Sequence, residues 1–158
     1  MIPSSENIYL DANFLVAYLV PNHDHSVGAG QMMADLISNN NTLYYSPLTF
    51  SETLHGIVLE EKKQNPSLSS PQVTQSDFYS DLRQLSDTLL AFPQTKLAQF
   101  NNPNLACTNS LEYIRDLNMK SADAFHVAYA LDLDIKYIVT NDRAFNRISS
   151  LNLVKVDF

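Results

Sequence analysis

Residues 121–142 form the most informative stretch of this sequence, because a buried helix, a buried strand and two acids follow one another there. The segment Ser121–Leu131 is apolar around nearly its whole circumference, which is typical of a helix that is buried on all sides. Tyr137–Val139 is a short apolar run, which predicts a strand covered on both faces. Asp123 falls in the first turn of the helix, where the helix dipole favours a carboxylate, and Asp142 follows the strand. We therefore expect two acids at the edge of a buried core.

Short apolar runs alternate with helical patterns along the rest of the chain. The predicted strands are Ile8–Leu10, Leu43–Tyr45, Thr95–Ala98, Tyr137–Val139 and Leu153–Val156. Between them the sequence predicts helices from Phe14 to Pro21, from Asp24 to Ser38, from Pro47 to Lys63, around Phe78, Leu82, Leu85 and Leu89, and from Asn102–Pro103 onward. This alternation predicts an α/β fold with three layers, α/β/α, around a central, mostly parallel sheet of four or five strands. We expect residues 1–158 to form a single domain.

The spacing of apolar residues predicts which helix faces pack on the core. The second helix presents Val27, Gly30, Met33, Ala34 and Ile37 on one face, and the helix after Asn102–Pro103 presents Cys107, Leu111, Ile114 and Leu117. Residues 64–76 are rich in Ser, Gln and Pro, which predicts a flexible loop.

Composition excludes several classes of protein. The net charge of −7 argues against a nucleic-acid binder held by bulk electrostatics, although a local patch or metal ions could still recruit nucleic acid. The one cysteine, Cys107, cannot form an internal disulfide and suits a reducing compartment, so we expect a cytoplasmic protein. No signal peptide is recognisable, and the longest apolar run, Phe14–Val20, is far shorter than the ~20 residues of a membrane helix. The three glycines form no phosphate-binding loop.

Four acids fall at the predicted carboxyl edge of the sheet, where open α/β sheets form their sites. They are Asp11, Glu52, Asp123 and Asp142. Two carboxylates 4 Å apart repel by about 4 kcal/mol at an effective dielectric constant near 20, so such a cluster needs protons, basic partners or a metal ion. Hard oxygen ligands in this number suit Mg²⁺ or Mn²⁺.

The segments around these acids resemble the four acidic motifs of PIN domains. The segments are Tyr9–Asn13, Thr49–Glu52, Ser121–Ala128 and Val139–Phe145. Their order and spacing agree with the family, and the resemblance spans nearly the whole chain. Its most specific part is the pair of motifs whose acids stand 19 residues apart across a helix and a strand, since 142 − 123 = 19.

This resemblance implies a divalent-metal-dependent endoribonuclease that hydrolyses RNA phosphodiester bonds to 5′-phosphate and 3′-hydroxyl ends. Asp11, Glu52 and Asp123 would hold a first Mg²⁺ or Mn²⁺, and Asp142 would complete or share a second ion. Many PIN-domain proteins are the toxin of a VapC-type toxin–antitoxin pair. The resemblance therefore also implies an RNA substrate, an antitoxin partner and a homodimer.

Five further residues are candidates for supporting roles at this site. Asn13, Thr140 and Asn141 could orient a carboxylate or a water molecule. Lys120 and Arg143 flank the acids and could contact RNA phosphates, or could equally be exposed counter-charges.

Three of the four acids, and two other residues of the sequence, also have a purely structural explanation. Asp11, Asp123 and Asp142 could each cap a helix or a turn. We expect His126 to be a hydrogen-bonded core histidine, and Cys107 to be a core residue on its helix face.

Two other functions remain open at this point. The chain could be a non-catalytic PIN-fold module that binds RNA or protein. It could also be an aspartate-dependent phosphatase of the haloacid dehalogenase type, although that motif has a second Asp where Asn13 stands.

His23 and His25 precede a helix at a predicted turn, and we expect them to be exposed polar residues rather than metal ligands.

Overall fold

The structure, a computed structural model, describes residues 2–67, 83, 86–87 and 91–158. The strands are β1 (Asn7–Leu10), β2 (Thr42–Tyr45), β3 (Thr95–Leu97), β4 (Tyr137–Val139) and β5 (Val154–Val156). The helices are α1 (Ala12–Leu19), α2 (Ser26–Ser38), α3 (Pro47–Gln64), α4 (Pro103–Leu117) and α5 (Ser121–Asp132), and a 3₁₀ helix covers Arg143–Leu151. The helix predicted around Phe78, Leu82, Leu85 and Leu89, and residues 68–76 of the predicted loop, lie outside the described residues.

The five strands form one sheet in the order β3-β2-β1-β4-β5, and every neighbouring pair is parallel. The chain builds outward from β1 through β2 to β3, and then returns to the other side of β1 with β4 and β5. The strand order therefore reverses between β1 and β4, and a crevice opens there beyond their carboxyl ends.

Helices cover both faces of the sheet, because alternate residues of each strand point to opposite faces. Ile8 and Leu10 of β1 pack with Phe14 of α1 and Met33 of α2 in one buried cluster. Tyr9, between them, packs on the other face in a second buried cluster, whose members include Ala98, Met119, Ala124, Val127 and Phe145. The predicted three-layer α/β/α fold is confirmed.

The predicted buried face of α2 is right only in part: Met33 is buried and Ile37 packs against the core, as predicted. Val27 is 74% exposed, and the residues of α2 that are buried are Ala29, Met33 and Leu36. The helix is rotated by about one residue position relative to the prediction.

The predicted buried face of α4 is also right only in part: Ile114 and Leu117 pack against the core, as predicted. Cys107 is exposed and Leu111 is 67% exposed, whereas Ala106 and Ser110 are buried where α4 packs on α5. Small side chains occupy the contact between the two helices, so a pattern built from large apolar residues misses this part of the buried face.

Within the described ranges, none of the helices has the length and apolar content that a membrane span requires.

Candidate metal centre

The reversal between β1 and β4 creates a cleft of about 530 Å³ that gathers the predicted acids. Asp11 directly follows β1, Glu52 lies in α3, Asp123 lies in the first turn of α5, and Asp142 begins the 3₁₀ helix. All four line this cleft, together with Asn13 and Asn141. Residues from both ends of the chain therefore meet at one edge of the sheet.

Asp11 is almost completely enclosed, with 6% of its surface exposed. It occupies the N-cap position of α1, but within the described part of the chain its side chain makes no capping hydrogen bond. Its Oδ2 instead accepts a hydrogen bond from Thr140 Oγ1 at 2.7 Å. Burial raises the pKa of the Asp11 carboxyl, and the nearby His126 ring and the Thr140 hydroxyl lower it only in part. The capping hypothesis therefore does not explain Asp11.

Thr140 connects Asp11 to two further segments of the site. Its hydroxyl is fully buried, donates to Asp11, and accepts hydrogen bonds from Asn13 Nδ2 at 2.9 Å and from the Asp142 backbone N–H at 3.0 Å. These contacts are the ones expected of residues that orient a carboxylate.

Asn141 has a different set of partners from those predicted. Its Nδ2 donates to the Phe158 carbonyl and its Oδ1 accepts from the Phe158 N–H, both at 3.0 Å. Its amide therefore holds Phe158 on the wall of the cleft, where both residues lie.

Asp123 and Asp142 differ in how well their oxygens are satisfied. Asp123 Oδ2 is buried and, among the residues that the structure describes, has no hydrogen-bond partner. Burial raises the pKa of Asp123, the negative charges of Asp142 and Asp11 raise it further, and His126 and Lys120 partly offset this. Asp142 Oδ1 caps the 3₁₀ helix by accepting a hydrogen bond from the Ala144 N–H at 2.8 Å. This is the capping role that the sequence allowed for Asp142.

His126 lies behind the acids with 1% of its side chain exposed. Its Nε2 is 2.7 Å from Glu52 Oε2 and 3.6 Å from Asp11 Oδ1, and its Nδ1 is 2.9 Å from Tyr9 Oη. Burial alone would lower the pKa of His126, but the Glu52 hydrogen bond and the charges of Asp11 and Glu52 raise it above its ordinary value. The ring is the hydrogen-bonded core histidine that the sequence predicted, and its partner is one of the candidate ligands.

Sequence reasoning missed the contribution of Tyr9 and gave His126 no role at the acids. Two signals could have revealed them. His126 stands three residues after Asp123 on one helix, so the two share a face. Tyr9 precedes Asp11 by two residues, so both side chains leave the chain on the same side.

Basic and aromatic groups extend the cleft away from the acids. His55 and Lys63 line it from α3, and His23 and His25 line it from the turn before α2. His25 is exposed and His23 is half-buried. Lys120 and Arg143 are both exposed, and neither is among the lining residues in the described part of the cleft.

The donor set at the acids fits a divalent cation. One potential ligand atom from each of Asp11, Glu52 and His126 lies within 4.8 Å of the other two. Burial raises the pKa values of Asp11 and Asp123, and neighbouring acids add to the shift at Asp123, so both negative charges are costly in the folded chain. Among the described residues, nothing donates to the buried Asp123 Oδ2. An oxygen left without a donor and a set of hard carboxylate ligands both suit a divalent metal ion.

Comparison with protein-family models matches residues 8–151 to the PIN domain. Since this match covers most of the chain, the protein belongs to the PIN-domain family. Comparison with curated protein sequences gives no match.

Solved structures support the same fold. VapBC2 from Rickettsia felis, bound to a DNA fragment from its promoter, is similar at a TM-score of 0.61 and 18% identity, over 96% of this chain and 98% of that one. VapC20 from Mycobacterium tuberculosis, a toxin that cleaves the sarcin-ricin loop, is similar at 0.63 and 13% identity, over 94% and 98%. VapBC-1 from nontypeable Haemophilus influenzae is similar at 0.57 and 16% identity, over 96% and 97%. At these identities the likeness concerns the fold.

Proposed function

We propose that this protein is an endoribonuclease that depends on Mg²⁺ or Mn²⁺ and hydrolyses RNA phosphodiester bonds at the four-acid cluster. The observation that carries the proposal is the convergence of Asp11, Glu52, Asp123 and Asp142 in one cleft of a PIN fold. Two of these carboxyl groups have raised pKa values, and Asp123 Oδ2 is buried without a partner among the described residues. Such a cluster reduces the stability of the folded protein. A function that requires the negative charge explains why the cluster is present.

In this proposal Asp11, Glu52 and Asp123 hold a first ion, and Asp142 completes or shares a second. When bound, such ions supply Lewis-acid chemistry, since they lower the pKa of water and neutralise charge on a phosphate. Thr140 fixes the carboxylate of Asp11 through a 2.7 Å hydrogen bond, and Asn13 donates to Thr140 from the first turn of α1.

The reaction is a hydrolysis. The oxygen of a water molecule bonds to phosphorus while the bond from phosphorus to the 3′ oxygen breaks. The proton lost by water balances the one that the 3′ oxygen gains, so the products carry a 5′-phosphate and a 3′-hydroxyl.

RNA has to enter the cleft against an overall charge of −7. His55 on one wall and His23 on the other give the cleft polar groups beyond the acids, and Lys63, which is paired with Glu60, also lines it. Lys120 and Arg143 are exposed beside it and would contact flanking phosphates. We expect RNA binding by the chain itself to be weak and its salt dependence to be shallow, because few cations take part in it.

The PIN-domain structures similar to this chain also suggest its partner. The R. felis and H. influenzae structures are VapBC complexes, in which each toxin is seen with its antitoxin. We infer an antitoxin that covers this cleft and offers a basic side chain, such as an arginine, to the acids. Purification of the endogenous protein without any second protein would count against this partner.

The test is cleavage of a pool of end-labelled structured RNAs with Mg²⁺, with Mn²⁺ and with a chelator. We expect cutting with either ion, none with chelator, and products that carry 5′-phosphate ends. Products with 2′,3′-cyclic phosphates, or cutting that survives chelation, would contradict the proposal. RNA binding without cutting in every condition would support the alternative of a non-catalytic PIN-fold module. The PIN-family match leaves no support for the phosphatase hypothesis.

A further inference from the structure

Behind the acids lies a buried polar network that the proposed reaction does not use directly. Tyr9 Oη donates to Ser46 Oγ at 2.8 Å, and Thr49 Oγ1 lies 3.0 Å from both of these oxygens. The three hydroxyls therefore form a closed triangle, which we call the hydroxyl triangle. His126 Nδ1 contacts the triangle at Tyr9, and His126 Nε2 contacts Glu52.

The backbone at the start of α3 holds the hydroxyl triangle in place. Thr49 N–H donates to Ser46 Oγ at 3.0 Å, and Ser46 N–H donates to Thr49 Oγ1 at 3.2 Å, which together form a capping box. Ser46, Thr49 and Tyr9 are all buried. The triangle is thus a fixed part of the junction between β2 and α3.

The single hydroxyl proton of Tyr9 determines which atom donates in its hydrogen bond with His126. Tyr9 has one hydroxyl proton and gives it to Ser46, so Tyr9 Oη accepts the hydrogen bond from His126 Nδ1–H. This contact holds the plane of the ring and aims Nε2 at Glu52 Oε2, 2.7 Å away.

Glu52 differs from Asp11 and Asp142 in needing such support. Its side chain is 36% exposed, whereas Asp11 is enclosed and held by Thr140, and Asp142 is held by the Ala144 N–H. A long side chain at an open cleft loses rotamer freedom when it binds an ion, and an anchor that restricts it beforehand reduces that cost.

We propose that His126 is a positioning residue that fixes Glu52 for metal binding, and that the hydroxyl triangle fixes His126. His126 holds Oε2 of Glu52, which leaves Oε1 for the ion. The inference rests on the proposed function, because it assumes that Glu52 is a metal ligand.

Two substitutions at position 126 separate this role from simple packing. The side-chain nitrogen of Asn reaches the position of Nδ1, so His126→Asn keeps the contact with Tyr9 and loses the contact with Glu52. The nitrogen of Gln reaches the position of Nε2, so His126→Gln keeps a donor for Glu52. We expect His126→Asn to weaken Mn²⁺ binding by about ten- to a hundredfold in calorimetric titration, and His126→Gln to retain most of the affinity.

A second pair of variants tests the hydroxyl triangle and stands in if His126→Asn fails to fold. Tyr9→Phe removes the acceptor for Nδ1 and is expected to weaken Mn²⁺ binding. Tyr129→Phe removes a hydroxyl from the neighbouring ring on α5, which stacks on Tyr9, and is expected to bind Mn²⁺ like the wild type. Circular dichroism and thermal unfolding of the metal-free variants establish that each is folded.

A double-mutant cycle then shows whether His126 acts through Glu52. In the Glu52→Ala background, His126→Asn should cause no further loss of Mn²⁺ affinity. A further loss in that background would overturn the inference. So would equal affinities of folded His126→Asn and wild type, or equal losses in His126→Asn and His126→Gln.

Pulsed electron paramagnetic resonance of the bound Mn²⁺ distinguishes positioning from direct ligation. A nitrogen coupling that disappears in the position-126 variants would identify His126 as a ligand and overturn the positioning role. Wild-type protein that binds no Mn²⁺ would contradict the proposed function, and this inference with it. The other contradicting outcomes would remove this inference alone.

Discussion

At the scale of single residues, three groups in the cleft have a pKa that folding raises. Burial raises the pKa of Asp11, burial and neighbouring acids raise the pKa of Asp123, and acids overcome burial to raise the pKa of His126. Each shift means that the folded protein binds a proton more tightly than the unfolded chain does. Folding and proton binding at these three groups are therefore linked.

This linkage predicts how the stability of the metal-free protein depends on pH. Asp11 and Asp123 favour folding less as pH rises above their ordinary value near 4, and the stabilisation from His126 is lost as pH rises from about 6.5 through its folded pKa. In chelator, the urea midpoint should therefore fall from about pH 6 to about pH 8. Saturating Mn²⁺ should remove most of this fall, and a metal-free midpoint that rises over this range would contradict the account.

The hydroxyl of Thr140 is predicted to contribute to stability as well as to the geometry of the site. Thr140→Val removes the donor to Asp11 and the acceptor for Asn13 and for the Asp142 N–H, all in a buried place. We expect a loss of about 1–3 kcal/mol in the free energy of unfolding by urea. Thr140→Ser keeps the hydroxyl and serves as the control, and equal losses in both variants would mean that the methyl group matters more than the hydrogen bonds.

The sequence identifies individual acids better than it identifies their partners. Asp11, Asp123 and Asp142 stand out because each follows or opens a buried segment. The Asn141 amide bonds to the Phe158 backbone instead of orienting a carboxylate, and no local pattern records that contact between distant residues. The hydrogen bond from His126 to Glu52 is hidden for the same reason, since it joins two helices.

At the scale of helices, the approach of α1 to α3 shapes one side of the cleft. A Cβ atom on Gly56 would stand 2.6 Å from Val16 Cγ2, closer than atoms can pack. Val16 and Gly56 both line the cleft. Because Gly56 has no side chain, α3 can pack directly against Val16 of α1.

Two glycine substitutions test this helix contact. Gly30 is in the interior of α2 and a Cβ atom there would meet no atom within 4 Å, so Gly30→Ala should stabilise the protein by about 0.5–1 kcal/mol through helix propensity. Gly56→Ala gains the same propensity but overpacks the contact with Val16, and we expect a net loss of about 1–3 kcal/mol. Urea unfolding of both variants measures the difference, and a stabilised Gly56→Ala would show that the helices can separate at little cost.

Helix positions were predictable, but helix faces were not always. Ser46 and Pro47 mark the start of α3 because capping chemistry is local in the sequence. The predicted faces of α2 and α4 are right only in part, because burial depends on which neighbour each helix meets. Ala106 and Ser110 are small where α4 meets α5, and a count of large apolar residues overlooks them.

At the scale of the whole molecule, the order of the strands brings the site together. Alternating strands and helices predict a parallel sheet, and the sheet is parallel throughout. The order β3-β2-β1-β4-β5 depends on how the crossovers pack, so strand periodicity alone does not specify it. That order makes β1 and β4 neighbours and so places Asp11 beside Thr140, two residues before Asp142. The single domain over residues 1–158 and the homodimer both stay predictions.

The most direct test of the proposed metal-dependent nuclease centre is the rate of RNA cleavage in Mn²⁺ by Asp123→Asn, compared with wild type and Glu112→Gln. Both variants change a carboxylate to an amide, but Glu112 is exposed on α4 and does not line the described cleft. We expect Asp123→Asn to lose at least about a hundredfold in rate while it stays folded, since it removes a ligand of the ion that lowers the barrier. Glu112→Gln should cut like the wild type. Cleavage by Asp123→Asn at the wild-type rate would contradict the assignment of the reaction to this cluster.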